Sequence, residues 1–506
     1  MPASYETDNR FPGGLRSGES YIEALKDDGR RVFIDGEEVN DVTSHPAFKE
    51  AVRSIANIYD IARDPANREL MTYPSPAAGI PVNRSWQLPH SQDDLVARRC
   101  AIERLSESNF GFMGRSPDHV AGFFVGWVMA PEVFIEDGNT KFADNMIKFY
   151  EFLRDHDVYT TYTIVPPQID RSKSAHQQNP PDLYAGVVKE RDDGIVIRGA
   201  QMLGTGSALS DYVLLSTIRP LGPGDENYAI NAAIACNAPG VRIYSRRSYG
   251  RAASSVYDYP LASRFDENDA LVVYDNVLVP WDQVFVYKNI DICRDQWWMT
   301  SAHVMGNNQA QIRFTTKLRF MVGVAQRIAQ MNGVASLPPV QALLADLAVQ
   351  ASVYEGLLDA QIATATTNAN GYVEPGRQAL YAAMMMQSEI YPKMLNLIRE
   401  LCGGGLIQLP SNVEDFANPE ICTDIARYIQ SPDHSAEERV KLMKLAWDFV
   451  GSEFAGRHDQ YEKFYAGAPF IVKMNMYRNY DFAKSQRLVD EALAGYDTTG
   501  RLPKTE

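Results

Sequence analysis

The chain has 506 residues, 45% hydrophobic and 22% charged, the composition of an ordinary folded protein with room for two or three structural domains. Its formal charge of −15 argues against nucleic acid or anionic membrane as a partner, since both call for a basic surface. The five cysteines (Cys100, Cys236, Cys293, Cys402, Cys422) are scattered and never spaced C-x-x-C. Neither a disulfide framework nor a zinc site is expected, no metal is called for, and a reducing cytoplasm is the expected location. The opening MPASYETDNRFPGG has no apolar signal-peptide core, and no run approaches the roughly 20 apolar residues of a membrane span.

Residues 1–158 read as helical with loops. Phe48, Val52, Ile55 and Ile58 recur at helical spacing, and a second helix opens at Ser91 with acidic residues in its first turn. Residues 159–288 change character to short β-branched runs punctuated by Gly, Pro, Asp and Asn. VVKERDDGIVIRG reads as a hairpin turning at Asp192, Asp193 and Gly194, and the zone is expected to form a barrel or sandwich without intervening helices. From 289 to 506 long amphipathic helices return, one ending at Gly403–Gly405 and another opening with the capping box Ser435–Glu438. Short connectors between them suggest an antiparallel bundle. The fold class expected is α+β, mainly α.

The chemistry is narrowed first by what is missing. The nearest imitation of a dinucleotide fingerprint, Gly204-Thr205-Gly206, lacks its third glycine and lies within the β zone. There is no P-loop, no H-E-x-x-H and no G-x-S-x-G, and His458 and Glu462, four apart, read as a solvated helix pair. Five candidate segments remain. Gly111–His119 packs Arg115 and His119 among backbone-breaking residues, where Arg115 could face an anion; the competing reading is a turn with Arg115 paired to Asp118. Pro166–Arg171 sets Gln168 and Arg171 three apart after a strand, or is simply a sheet-edge turn. Leu203–Ala208 offers hydroxyls among small residues that a planar ring could approach, or makes a tight bend; Tyr465–Ala468 is similarly small. His303, in SAHVMGNNQAQ, is a candidate base or a structural histidine.

These segments lie in one order with FIDGEEVNDVTSHPAF, GRSPDH, IVPPQIDR, DYPLASRFDENDALVVYDNVLVPWDQV, LIQLPS and GSEFAGRHDQYEKFYAG. Together they resemble the 4-hydroxyphenylacetate 3-monooxygenase family of FADH2-dependent two-component hydroxylases over nearly the whole chain. The resemblance implies an acyl-CoA dehydrogenase-like fold and a homotetramer. It also implies a small phenolic substrate, molecular oxygen, and FADH2 supplied by a separate NAD(P)H:flavin reductase. In the hydroxyphenylacetate branch a Tyr stands where this chain has His119, and a His stands at the position of Tyr162. On that ground the chain is more similar to the chlorophenol and nitrophenol 4-monooxygenases.

By the same resemblance Arg115 and His119 would meet the substrate, His303 would be the base, and Phe454 would form part of the substrate wall. Tyr162, Thr163, Ile164, Gln168, Ile169, Asp170, Arg171, Leu203, Gly204, Thr205, Tyr465, Ala466, Gly467 and Ala468 would bind FAD. The reaction implied is hydroxylation of a phenolate by a flavin C4a-hydroperoxide, with para attack expelling chloride or nitrite. Ortho hydroxylation to a catechol is the first alternative. An acyl-thioester dehydrogenase and a non-catalytic flavin-binding subunit are rivals from other classes.

Overall fold

The computed structural model describes Tyr5, residues 10–465 and 467–496, Thr498 and Gly500. Local chemistry accounts for its first elements. Helix α1 (Gly18–Leu25) is followed by strands β1 (Val32–Ile34) and β2 (Glu37–Val39), joined by Asp35 and Gly36, both at positive φ. That is the tight hairpin turn an Asp-Gly pair favours. The expectation of helices and loops alone before residue 158 is therefore corrected, and Asp35-Gly36 is the signal that could have revealed the hairpin. Helix α2 (Lys49–Arg63) follows, its Val52, Ile55 and Ile58 buried on one face with Phe48 just before it. Next come α3 (Arg68–Met71) and the small β3–β4 pair (Thr72–Pro74, Pro81–Asn83). Helix α4 (Gln92–Glu107) is opened by a Ser91–Asp94 capping box, and α5 (Pro117–Val128) and α6 (Lys141–Asp155) complete the stretch.

Strands take over at β5 (Thr160–Thr163), β6 (Gly186–Arg191), β7 (Gly194–Gln201), β8 (Tyr212–Leu215), β9 (Ile230–Ala235) and β10 (Val241–Ser245). Arg191 pairs with Gly194, so the β6–β7 turn is Asp192-Asp193 alone. Two short helices, α7 (Tyr249–Ala252) and α8 (Ala262–Phe265), then interrupt a zone expected to have none. The buried Asp266 and Asp448 carboxylates accept from backbone N–H groups at the starts of these helices. Strands β11 (Ala270–Pro280) and β12 (Val284–Tyr287) close the zone. One sheet runs β2-β1-β10-β11-β7-β6 and the other β12-β9-β8-β5. The N-terminal hairpin thus joins the first sheet, with β1 parallel to β10 and Val32 opposite Ile243.

Helices α9 (Ile290–Trp298), α10 (Ala302–Met331), α11 (Pro338–Ala363) and α12 (Arg377–Cys402) follow, with the minimal β13–β14 pair (Thr366–Thr367, Val373–Glu374) between the last two. Gly403, at φ +56°, ends α12. The chain continues through α13 (Pro419–Tyr428), α14 (Ala436–Val450), α15 (Glu453–Phe464), α16 (Pro469–Asn479) and α17 (Phe482–Ala494). Helices, then two sheets, then helices form the mainly α, α+β, acyl-CoA dehydrogenase-like arrangement that the resemblance implies. One apolar core runs from Ile55 and Val32 through Ile197 and Val272 to Phe314 and Phe449, so sheet and bundle share a continuous interior. Among the described residues no helix is long and apolar enough to cross a membrane, and no cluster of His, Cys, Asp and Glu could hold a metal.

Candidate active site

Close helix packing positions the site. Helices α5 and α10 lie against each other at Gly122 and Gly126, where a Cβ would collide with the backbone of Met305–Gly306 and of Ser301–Ala302. This approach brings His119, on the first turn of α5, against Gln309 of α10, with His119 Nδ1 2.9 Å from Gln309 Oε1. The preceding loop carries Arg115. Its backbone N–H donates to Glu267 Oε1 at 2.5 Å, and its carbonyl accepts the Tyr159 hydroxyl at 2.5 Å. Gly114 has no room for a Cβ because the Tyr461 hydroxyl fills the space.

The Arg115 guanidinium is buried in a cage of three tyrosines. Its central carbon lies 4.1 Å from the ring centre of Tyr465, 4.7 Å from that of Tyr162 and 5.5 Å from that of Tyr461. Nη2 donates to the Tyr162 hydroxyl, while Nη1 is buried with no hydrogen-bond partner. Among the described residues no carboxylate forms an ion pair with this guanidinium; Asp118, its partner in the competing reading, instead binds Ser116 and Gln309. Burial opposes the charge on Arg115, but the surrounding tyrosines and Glu267 outweigh that and raise its pKa. His119 is held well below the usual imidazole range by burial first and by the Arg115 and Arg313 charges second. Its Nε2 is also buried without a partner. A buried cation and a buried neutral imidazole each keep one unmatched polar atom beside the same tyrosines.

The flavin candidates fall into two kinds. Tyr162 touches both His119 and Arg115, and Tyr465 Oη stands 3.1 Å from His119 Nδ1. Thr163 is wholly buried and shares a hydrogen bond with Tyr274 Oη at 2.9 Å; Thr205 donates to Asp269 at 2.6 Å. Ile164 is buried, and the Met202 N–H donates to the Val165 carbonyl at 2.8 Å, which ties the loop after β5 to Leu203 and Gly204. Leu203 is 51% exposed and at positive φ, and Gln168, Ile169 and Arg171 are also exposed, with Arg171 donating to Gln168. Asp170 caps the turn to Ser172. Gly467, at φ +101°, and Ala468 link α15 to α16; Ala466 lies outside the described residues.

His303 occupies a different surrounding. Its ring lies 4.7 Å from that of Trp298 and 5.8 Å from that of Tyr381, whose hydroxyl is 3.3 Å from Nδ1. Burial, then the Arg377 charge, bring it down to about 4. Among the described residues no hydrogen bond or ring contact joins it to Arg115 or His119. Phe454 is buried between Phe112 and His458, with ring centres 5.8 and 4.3 Å away.

The reading of His458 and Glu462 as a solvated pair is corrected. Both are buried, and Glu462 accepts from Arg313 at 2.6 and 2.8 Å, Lys317 at 2.7 Å and Gln387 at 2.8 Å, with Lys317 Nζ 3.1 Å from His458. The i, i+4 spacing placed both residues on one face of α15, but that face packs on α10 and α12 instead of meeting water. Burial, only partly offset by Glu462, pushes Lys317 down to about 7, while its two cations hold Glu462 down to about 2 against burial. Also missed were Gln309, Tyr159, Tyr461, Glu267 and Arg457, whose guanidinium binds Asp269 and Glu267 and stacks 4.0 Å over Tyr461. Gln309 and Glu267 lie inside the motif blocks, but only tertiary contact distinguishes them from their polar neighbours.

Comparison with known proteins covers nearly the whole chain. The models of the 4-hydroxyphenylacetate 3-hydroxylase N terminal and C terminal match residues 17–286 and 293–494. The chain is 35% identical over 484 residues to a 4-hydroxyphenylacetate 3-monooxygenase oxygenase component of Geobacillus sp. (strain PA-9), covering 95% of this chain and 97% of that one. It is 32% identical over 516 residues to a 4-nitrophenol 2-monooxygenase oxygenase component of Rhodococcus sp., covering 99% and 97%. A crystal structure of the oxygenase component of 4-hydroxyphenylacetate 3-monooxygenase, complexed with FAD and 4-hydroxyphenylacetate, superposes with a TM-score of 0.89 at 33% identity over 95% of this chain and 98% of that one. With both halves matched and relatives of this identity aligned end to end, the chain belongs to the 4-hydroxyphenylacetate 3-hydroxylase family.

Proposed function

We propose that this chain is the oxygenase component of a two-component, reduced-FAD-dependent monooxygenase that hydroxylates a phenol. Beyond family membership, the observation that carries the reading is that Arg115 Nη1 and His119 Nε2, on side chains that share Tyr162 and Tyr465 as neighbours, are both buried and both unmatched. Leaving such atoms unpaired is costly. A phenol hydroxyl meets both needs, offering its proton to Nε2 and its oxygen to Nη1. His119, neutral in its buried surroundings, takes the proton, and the Arg115 cation holds the phenolate oxygen in a site of low dielectric. The tyrosine cage keeps water from that pair. His303, the base implied by resemblance, remains the competing candidate, from its own cluster with Trp298 and Tyr381.

The residues assigned to FAD fit a flat group. Leu203 is exposed, and Gly204 packs against Val272, Ser207 and Thr163, where a Cβ would collide with them. Gln168 and Arg171 supply exposed polar groups on the loop after β5, and Tyr465 is one wall of the Arg115 cage, with Gly467 and Ala468 following it in the chain. Reduced FAD, supplied by a separate NAD(P)H:flavin reductase, would provide activation of molecular oxygen there. Arg115, His119 and Tyr162 would orient the phenol and control its proton.

We place the oxygen ortho to the phenolic hydroxyl. The named relatives act at position 3 of 4-hydroxyphenylacetate and position 2 of 4-nitrophenol, both adjacent to the hydroxyl. Para attack with loss of chloride or nitrite is the second reading, favoured by His119 and Tyr162 standing where the hydroxyphenylacetate branch has Tyr and His. The test is product analysis of the purified chain with reduced FAD, oxygen, 4-hydroxyphenylacetate, 4-chlorophenol and 4-nitrophenol. Catechols with the para group intact support the first reading; chloride or nitrite release supports the second. No product from any phenol would overturn both.

We also propose that the chain assembles as the homotetramer that the resemblance implies. Helices α16 and α17 expose Phe470 (71%), Tyr477 (62%), Leu488 and Leu493, an apolar surface suited to burial against further copies of the chain.

A further inference from the structure

We infer that Gln309, itself anchored by Asp118, is a positioning residue that places the His119 proton on Nδ1 and leaves Nε2 facing the phenol as a lone-pair acceptor. This rests on the phenol reading above. Asp118 Oδ1 accepts the Ser116 hydroxyl at 2.5 Å, and Oδ2 accepts the Gln309 side-chain N–H at 2.7 Å. A carboxylate only accepts, so the NH2 end of Gln309 points to Asp118 and its carbonyl oxygen points the opposite way. That oxygen is the atom 2.9 Å from His119 Nδ1. The second neighbour of Nδ1 is Tyr465 Oη at 3.1 Å, which donates its own hydrogen to the Gly114 carbonyl at 3.0 Å and presents a lone pair to the ring. Both neighbours of Nδ1 are therefore acceptors. The network assigns the hydrogen to Nδ1, and a neutral ring then carries its lone pair on Nε2.

The charged and titratable groups facing His119 agree with a neutral ring. They are Arg115 from its own loop, Tyr162 from β5, Arg313 from α10 and Tyr465 from the end of α15. Asp118 is raised by burial, while the Ser116 and Gln309 hydrogen bonds and the Arg98 charge oppose that rise. Arg98 is itself buried, with both Nη atoms unpaired. An amide between carboxylate and imidazole has a chemical consequence. A carboxylate bonded directly to Nδ1–H would favour the imidazolium; Gln309 passes on the orientation and keeps the negative charge one residue away. In the step proposed, the phenol O–H bond breaks, an Nε2–H bond forms, and the phenolate oxygen accepts from Arg115 Nη1.

The test uses flavin-free full-length protein and 4-nitrophenol, whose phenolate absorbs in the visible, so the ionisation of the bound phenol can be followed against pH. Wild type should ionise bound 4-nitrophenol at lower pH than free solution, and Arg115→Ala should abolish that difference. Gln309→Leu should move the bound ionisation up by about one pH unit, the size expected when one specific stabilising contact is lost. Gln309→Glu keeps an oxygen facing Nδ1–H and can share a proton with Asp118, so it should retain the low ionisation. Thermal melting of both variants controls for folding. Equal upward shifts in the Leu and Glu variants, or no shift in the Leu variant, would overturn the positioning role while the phenol reading stands. A wild-type protein that leaves 4-nitrophenol unperturbed would overturn the phenol reading and the inference with it.

Discussion

The Arg115 guanidinium stands 4.1 Å above the ring centre of Tyr465, so a loop ahead of α5 and the residue closing α15 meet because α5 and α15 both pack on α10. Lysine at position 115 would keep the charge but not the planar fork that serves Tyr162 with one nitrogen and leaves the other free. Arg115→Lys is therefore expected to slow hydroxylation by roughly 10²–10³-fold, the scale of losing one oriented oxyanion donor. The measurement is the rate of product formation in single-turnover mixing with reduced FAD.

The two candidate bases separate experimentally. His119→Ala is expected to slow hydroxylation by about 10²–10⁴-fold, as loss of a general base does, and His303→Ala by much less. If rapid-quench product formation collapses only in the His303 variant, the base is the one implied by the family resemblance.

Glu462 balances Arg313 and Lys317 where water cannot. Glu462→Gln should cost about 3–5 kcal/mol, because it leaves buried cations uncompensated. Pairing it with Lys317→Met should recover part of that loss, read as the midpoint of denaturant unfolding.

Acid stability follows from the buried imidazoles. Burial and then Arg377 depress His303 from 6.5 to about 4, and His119 and His458 are also held low, chiefly by burial. A depressed folded pKa means that the unfolded chain binds more protons, so this share of stability is present above pH 6.5 and lost as pH falls toward the folded value. His303→Phe removes one such group, and its acid-unfolding midpoint, followed by circular dichroism, should move to lower pH.

The exposed apolar face of α16 and α17 tests the assembly. Phe470→Glu with Tyr477→Glu should yield smaller particles in light scattering while the circular dichroism of the chain persists. An unchanged particle mass would remove this face from the interface.

Much of the secondary structure was legible because its causes are local. Ser91 and Ser435 open helices through side-chain caps, Gly403 stops one by its positive φ, and the period of Phe48, Val52, Ile55 and Ile58 marks a buried face. Arg115 and His119 stood out as polar residues in a backbone-breaking loop. Which groups would meet them did not. The pairing of Val32 with Ile243, of Arg115 with Tyr465 and of His119 with Gln309 joins segments whose sequences carry no record of each other. The same holds for burial: His458 and Glu462 share a helix face by their spacing, but only packing against α10 and α12 determines that the face is dry. Local sequence determined the helices, turns and caps, because these depend on neighbours within a few residues. The tertiary structure decided which polar atoms are left unmatched at Arg115 and His119, because desolvation and charge pairing belong to the assembled interior.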